Sequence, residues 1–288
     1  MVVRSVSEPV RMLIVVEGDK REKPFLKKLM ELYGINAELY VFHANIYNLY
    51  QAMERIGFNG DLRDVLAELP CMQGQDLETL RHTKFAYTYL IFDCDAQHTM
   101  NEEKDKSRPI DEIMRENFGR LEKMVAYFID ETDPSVGKLY VNYPMMESYR
   151  DCDDFFDINY RNAQVCIDDI KNYKKITGRR RLANLRVDRF NKENFSDLLR
   201  MNIYKLNAML GSGWVYPPYK EYQELSKQVK IALYQKELTT VTRCMDVLNT
   251  TLFLLADYYG NRGGFYDTLK AEKKLPKQND SKGDTLPT

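Results

Sequence analysis

The chain has 288 residues, a length that suits one large domain or two modest ones. Its hydrophobic content of 44% and charged content of 30% are typical of a soluble globular protein. A formal net charge of −1 excludes the overall basicity that marks many nucleic-acid-binding proteins, so any basic surface must be local.

The N-terminal segment and the cysteines indicate in which cellular compartment the protein is expected. Arg4, Glu8 and Arg11 interrupt the N-terminus, which is unlike a signal peptide, and no apolar stretch approaches the roughly 20 residues of a membrane span. The five cysteines are scattered without a C-x-x-C pair, and with only three histidines they do not indicate a zinc site. We therefore expect a cytoplasmic protein with reduced thiols and no membrane partner.

Strands and helices alternate through the first half of the chain. Apolar runs predict four strands, at residues 12–16, 38–44, 87–92 and 138–143. Helical spacing predicts helices from Gly18 to about Tyr33 and over residues 47–58, 61–69 and about 110–130, with a polar connection at 71–84. This alternation predicts an α/β domain over residues 1–155, with a mostly parallel sheet between two layers of helices.

The second half changes character. Its pattern predicts a helical domain over residues 156–270 without strands, and a disordered polar tail over residues 271–288. The segment GSGWVYPPYKEY, residues 211–222, contains the single tryptophan. Its aromatic residues either stack on unpaired bases or anchor the loop onto the helical domain, and we favour the second interpretation.

Acidic residues follow three of the predicted strands. Glu17 comes directly after the first strand, and Asp93 and Asp95 follow the third. Glu22 falls in the first turn of the next helix, and Glu147 follows the fourth strand. Because ligands of an open parallel sheet bind beyond the carboxyl ends of its strands, these acids are expected to gather at one edge. In extended geometry, Asp95 would point to the same side as Asp93.

Such a cluster of carboxylates predicts a divalent metal ion. Neighbouring carboxylates repel each other, and a cation relieves that repulsion. Mg²⁺ prefers oxygen ligands, and a bound ion can polarise a phosphoryl oxygen or activate water. Acids without an accompanying histidine or cysteine set therefore favour phosphodiester cleavage or phosphoryl transfer. Each motif alone has a plainer explanation, since an acid after a strand can simply shape a turn or cap a helix.

At these residues the chain resembles the TOPRIM domain of topoisomerases, bacterial primases, OLD-family nucleases and several phage-defence effectors. The family pattern is a strand ending in Glu-Gly and a later strand ending in Asp-x-Asp, matched here by Glu17-Gly18 and by Asp93 and Asp95. EGDKRE and YPMME match the further acids of the defence-type branch. The segment FDCDAQH is similar to that of the RloB- and AbiL-like groups, which would add His98.

The resemblance covers roughly residues 11–150 and implies a Rossmann-like TOPRIM domain with Mg²⁺ or Mn²⁺ as cofactor. It implies catalytic roles for Glu17, Glu22, Asp93, Asp95 and Glu147, with Glu17, Asp93 and Asp95 as metal ligands. The chain is too short for a topoisomerase and lacks the zinc-binding cysteines of a primase, so it looks more like a nuclease of antiviral defence. Such effectors work beside an ATPase, which must act in trans because this sequence has no G-x-x-x-x-G-K-[ST] loop.

The clearest basic segment is KNYKKITGRRRLANLRVDRFNK, residues 171–192, with nine Lys or Arg against one acid. It predicts a phosphate-binding edge, with Tyr173 and Phe190 interleaved among the charges. The residues assigned to nucleic acid are Lys174, Lys175, Arg179, Arg180, Arg181 and Arg186. A solvated helix face or a contact to an acidic protein is the alternative for this segment.

Three functions are therefore open. The first is a metal-dependent nuclease, for which PARIS-like relatives imply a toxin that cleaves tRNA, although other RNA or DNA substrates fit equally. The second is a non-catalytic adaptor that docks to an ATPase through its helical half. The third is another α/β phosphotransferase, which would lack a recognisable nucleotide loop. The sequence leaves a homodimer open.

Overall fold

Five strands form a sheet that is parallel except at one edge. In the computed structural model, which describes residues 11–99 and 107–271, these strands are β1 (Met12–Val16), β2 (Ala37–Val41), β3 (Tyr87–Asp93), β4 (Ile129–Asp130) and β5 (Gly137–Asn142). Their order is β2-β1-β3-β5-β4, and only β4 runs antiparallel to its neighbour. The α/β class and the mostly parallel sheet are thus confirmed.

Helices connect and cover the strands. In the first half they are α1 (Glu22–Tyr33), α2 (Ile46–Arg55), α3 (Leu62–Glu68), α4 (Leu77–His82) and α5 (Ile110–Tyr127). The predicted strands and helices match these bounds to within a few residues. The predicted polar connection at 71–84 is wrong, because α4 forms there: the Asp76 carboxylate accepts the backbone N–H of Thr79, and Leu80 is buried.

The second half is mainly helical, as expected. Its helices are α6 (Ile167–Ile170), α7 (Tyr173–Thr177), α8 (Lys192–Leu210), α9 (Tyr219–Leu225), α10 (Gln228–Thr242), α11 (Phe253–Tyr259) and α12 (Phe265–Ala271). Short 3₁₀ helices lie at Pro70–Met72, Met146–Arg150, Ile158–Asn162, Arg181–Asn184, Val187–Arg189, Thr250–Leu252 and Arg262–Gly264.

The expectation of no strand in this half is wrong. Strands β6 (Gln164–Cys166) and β7 (Cys244–Asp246) pair antiparallel as a separate small sheet. Strands of three residues are too short for an alternating pattern to reveal them. The loop around Trp214 is anchored as favoured, because Trp214 and Tyr216 are buried against Tyr204.

The two halves share one continuous set of buried residues. Asn249 donates to the Met146 carbonyl and to Ser148 Oγ, and Thr251 donates to Asn142 Oδ1. The segment that follows β5 is therefore held from the helical side. The boundary near residue 155 stays a prediction, and the tail beyond Ala271 lies outside the described residues. Within residues 11–99 and 107–271, no helix combines the length and apolar character that crossing a membrane requires.

The pairing of β6 with β7 places Cys166 opposite Cys244, and a disulfide joins them. The expectation of reduced thiols is wrong for this pair, because the two cysteines are 78 residues apart and only the strand pairing brings them together. Cys71, Cys94 and Cys152 are free.

We expect the protein purified without reductant to react at three thiols after denaturation, since Cys166 and Cys244 are blocked. Thiol titration with a chromogenic disulfide checks this, and a matched sample reduced before denaturation should react at all five cysteines. Five reactive thiols in the unreduced sample would contradict the bond.

Candidate active site

The carboxyl ends of β1, β3 and β5 meet at one edge of the sheet. Val16 pairs with Ile91, and Asp93 pairs with Asn142 in the parallel register. The backbone N–H of Glu17 continues the ladder by donating to the Ile91 carbonyl at 3.2 Å. The acid that follows β1 is therefore held beside the end of β3.

Two carboxylates, that of the half-buried Glu17 and that of the buried Asp93, connect these strand ends. Glu17 Oε2 accepts the backbone N–H of Asp93 at 3.0 Å. Asp93 Oδ1 accepts the backbone N–H of Met146, on the segment after β5, at 2.7 Å. Residues far apart in the chain are thus brought into one hydrogen-bonded unit, and each carboxylate keeps a second oxygen outside these two bonds.

Glu22 and Gly18 fit each other across the turn between β1 and α1. Glu22 is the first residue of α1 and is buried. A Cβ at position 18 would lie 3.2 Å from Glu22 Oε2, a tight approach to a buried carboxylate. Glycine at position 18 therefore leaves room for Glu22 to turn toward the acids at the strand ends.

Asp95 joins the cluster by a different route from the one expected. Its φ of 38° lies in the left-handed region, so the extended geometry predicted for this residue is wrong. Strand β3 ends at Asp93, and the next N–H, that of Cys94, is shared between the carbonyls of Asn142 and Pro144. Aspartate tolerates the left-handed region better than most residues, and Gln97 donates to Asp95 Oδ1 at 3.3 Å.

Glu147 is buried and faces two cations. Its Oε1 lies 3.8 Å from Arg21 Nε and 4.0 Å from Lys174 Nζ. Arg21 was not predicted as a site residue, because a charged residue before a helix has no distinctive pattern. It is exposed, so it is reachable by a ligand at this edge.

The pKa values of the acids are raised by burial and by the charges of the other acids in the cluster. Burial, then the charge of Asp95, raises the pKa of Glu17 well above its usual range. Burial, then Glu17, does the same to the pKa of Asp93. Burial also raises the pKa of Glu22, and the charge of Glu147 raises it further. Burial raises the pKa of Asp95 as well. Without a cation, this site disfavours the ionised form of its own carboxyl groups.

The donor chemistry fits a hard divalent cation. Among the residues that the structure describes, no three His, Cys, Asp or Glu side chains are grouped closely enough to hold a metal ion together. Mg²⁺ does not require such a cage, because it usually keeps several waters and is held by one or two carboxylates. Glu17, Asp93 and Asp95 are therefore not grouped as a three-ligand cage, but one or two of their carboxylates together with waters would fit that mode of binding.

Two histidines, His98 and His43, lie near the acids, but only His98 has its ring beside them. The His98 backbone N–H donates to the Asp95 carbonyl at 2.8 Å, and the His98 ring stacks on Tyr47. Asn45 Nδ2 lies 3.0 Å from His98 Nε2. His98 is therefore beside the cluster, whereas His43 is exposed and contributes its backbone N–H to the Glu17 carbonyl.

The basic segment divides into residues that are paired and residues that are not. Arg180 Nε lies 2.9 Å from Asp151 Oδ1, and Arg186 pairs with Asp188. Burial alone lowers the pKa of Lys174, but the carboxylates of Glu147 and the strand ends outweigh burial and raise it. Lys174 is thus the member of the segment that faces the acids.

The remaining three predicted residues are exposed, and their side chains have no partner in the described part of the chain: Lys175, Arg179 and Arg181. The interleaved aromatics are not available for stacking on bases, because Tyr173 and Phe190 are 1% and 3% exposed. Both rings are part of the core instead.

Comparisons of the chain with protein-family models, curated proteins and solved structures find no match.

Proposed function

We propose that this protein is a metal-dependent nuclease of the TOPRIM kind that hydrolyses phosphodiester bonds in nucleic acid. The observation that carries the proposal is the link from β1 to β3 to the segment after β5 through the carboxylates of Glu17 and Asp93. A purely structural role does not account for several buried or half-buried acids whose ionisation is disfavoured where they stand.

The residues divide into two groups by position. Glu17, Asp93 and Asp95 would hold Mg²⁺ or Mn²⁺, and Glu22 and Glu147 would complete a second position or orient the attacking water. The ion, when bound, polarises the phosphoryl oxygen and lowers the pKa of water. Lys174 and the exposed arginines of the basic segment offer positive charge for the phosphates of the substrate.

The resemblance supplies the wider proposal. The protein would be the toxic effector of a two-component antiviral system in the cytoplasm, working with an ATPase in trans and acting on RNA, tRNA included, or on DNA. The disulfide between Cys166 and Cys244 is the feature least suited to a reducing compartment. A homodimer is compatible with this proposal but not required by it.

Incubation of the purified chain with tRNA, single-stranded RNA, single-stranded DNA and duplex DNA tests the proposal. Cleavage is expected with Mg²⁺ or Mn²⁺ and none with a chelator. Absence of cleavage of every substrate, together with no thermal stabilisation by either ion, would favour the adaptor that docks to an ATPase instead.

The basic segment yields a separate expectation. Changing Arg179 and Arg181 together to Gln should weaken nucleic-acid binding and reduce the slope of log K against log salt by roughly 0.7–0.9 for each phosphate that is no longer neutralised. Arg186→Gln serves as the control, because Arg186 is already paired with Asp188 and should change the slope less. Binding titrations over a range of salt measure both, and an unchanged slope in the double variant would remove this segment from the interface.

A further inference from the structure

Arg150 is a buried arginine without a partner. The residue is 7% exposed, and its Nε is buried with no hydrogen bond. In the described part of the chain, no carboxylate or carbonyl accepts a hydrogen bond from its guanidinium. The adjacent carboxylate of Asp151 is already occupied, since it accepts from Tyr173 and from Arg180.

Another buried arginine, Arg200, has the hydrogen bonds that Arg150 lacks. Arg200 is 1% exposed, and it donates to Asp197 Oδ1 at 2.7 Å and to the Leu269 carbonyl at 2.6 Å. A buried cation is unfavourable unless it is paired or hydrogen-bonded. An unpaired one in a folded protein therefore calls for an explanation, and a ligand that brings its own negative charge supplies one.

The position of Arg150 points to the candidate active site. Arg150 and Glu147 are three residues apart on the 3₁₀ helix Met146–Arg150, where side chains at that spacing lie above one another. Glu147 in turn lies 3.8 Å from Arg21 and 4.0 Å from Lys174. Arg150 thus lies one turn along the same 3₁₀ helix from an acid that already faces two cations.

The pKa of the Tyr149 hydroxyl is affected by the charges of Arg150, Arg21 and Glu147. Burial raises its pKa, the charges of Arg150 and Arg21 oppose that shift, and the charge of Glu147 adds to it. The charges of Arg150, Arg21 and Glu147 thus all act on the Tyr149 hydroxyl.

We propose that Arg150 binds a phosphate of the nucleic-acid substrate next to Glu147, with its planar guanidinium taking two phosphate oxygens. An arginine fork matches phosphate in this way, and a phosphate would supply the negative charge that the buried side chain lacks. This proposal rests on the proposed function in that it assumes a nucleic-acid substrate, but it concerns binding and does not require cleavage.

Fluorescence anisotropy with labelled single-stranded RNA and single-stranded DNA, in a chelator that prevents cleavage, tests the proposal. Arg150→Gln should weaken binding of the preferred probe by about tenfold, the effect expected when a hydrogen bond to a charged group is removed. Its salt slope should fall by roughly 0.7, the value for one phosphate of a single strand. Arg150→Lys keeps the charge but not the fork, so the salt slope should return and the affinity should recover only in part.

Arg115→Gln is the matched control, because Arg115 is an exposed arginine of α5, a helix that carries none of the predicted site residues. It should bind as the parent does. Thermal melting of all variants separates folding from binding, and Arg150→Gln is expected to melt no lower than the parent, since it removes an unpaired buried charge.

The outcomes distinguish the two proposals. A chain that cleaves, while Arg150→Gln binds with the parent's affinity and salt slope, overturns the role of Arg150 and leaves the nuclease standing. A chain that neither cleaves nor is stabilised by Mg²⁺ or Mn²⁺, but binds through Arg150, supports this inference and overturns the nuclease. Equal loss of binding and of melting temperature in both Arg150 variants assigns the residue a structural role and overturns the inference.

Discussion

Glu17→Gln and Asp93→Asn are each expected to lower Mg²⁺-dependent cleavage by about 10²–10⁴-fold, the range typical for loss of a positioned acid or base. Each change removes a charge and keeps the shape. Gln retains an oxygen that accepts the Asp93 N–H, and Asn retains one that accepts the Met146 N–H. The fold around the strand ends should therefore survive, so that the slower cleavage reports on chemistry.

The measurement is the single-turnover cleavage rate of the preferred nucleic acid in excess Mg²⁺, with circular dichroism as the test of folding. Glu237→Gln is the matched control, because Glu237 is an exposed acid of α10, a helix that carries none of the predicted site residues. It should cleave at the parent's rate. If both site variants cut as fast as the parent, the assignment of the acids is wrong.

The stability of the metal-free protein is expected to fall as the pH rises from about 4, the usual pKa of carboxyl groups. The sign follows from the raised pKa values of Glu17 and Asp93. Above the unfolded pKa, the folded state binds more protons than the unfolded state, so raising the pH favours unfolding. The contribution is complete below that pKa and is lost as the pH passes through the raised folded pKa.

Asp93→Asn should remove part of this dependence. We expect its free energy of unfolding near pH 7 to exceed that of the parent by about 0.5–2 kcal/mol, the usual gain when an unfavourable site is relieved. Saturating Mg²⁺ should stabilise the parent, raising its free energy of unfolding by about 2.7 kcal/mol at an ion concentration 100 times Kd. Its effect on the variant should be much smaller, because a ligand is missing.

Denaturant unfolding across pH, with and without Mg²⁺, measures these effects. The Glu237→Gln variant should follow the parent at every pH. A parent whose stability is flat with pH and indifferent to the ion would show that the acids do not form one charged site. That result would leave a scaffold with unrelated acids, as in an adaptor.

Local sequence was sufficient for most of the α/β half. The runs MLIVV and YTYLIFD are largely apolar because their strands are buried on both faces, and this pattern can be recognised from the amino-acid sequence alone. The general rule that parallel strands present their carboxyl ends at one edge then brings Glu17 and Asp93 together. The sequence predicted that these two residues meet at one edge, whereas the 3.0 Å bond from the Asp93 N–H to the Glu17 carboxylate was seen only in the structure.

The remaining features were decided by tertiary structure, because they depend on pairings between distant residues. Nothing local distinguishes Cys166 and Cys244 from the free cysteines, or the unpaired Arg150 from the paired Arg180. The left-handed turn at Asp95 likewise follows from the way its neighbours bond to the segment after β5. Periodicity records which faces are buried, whereas the partner of each polar group is set only when the chain has closed its long loops.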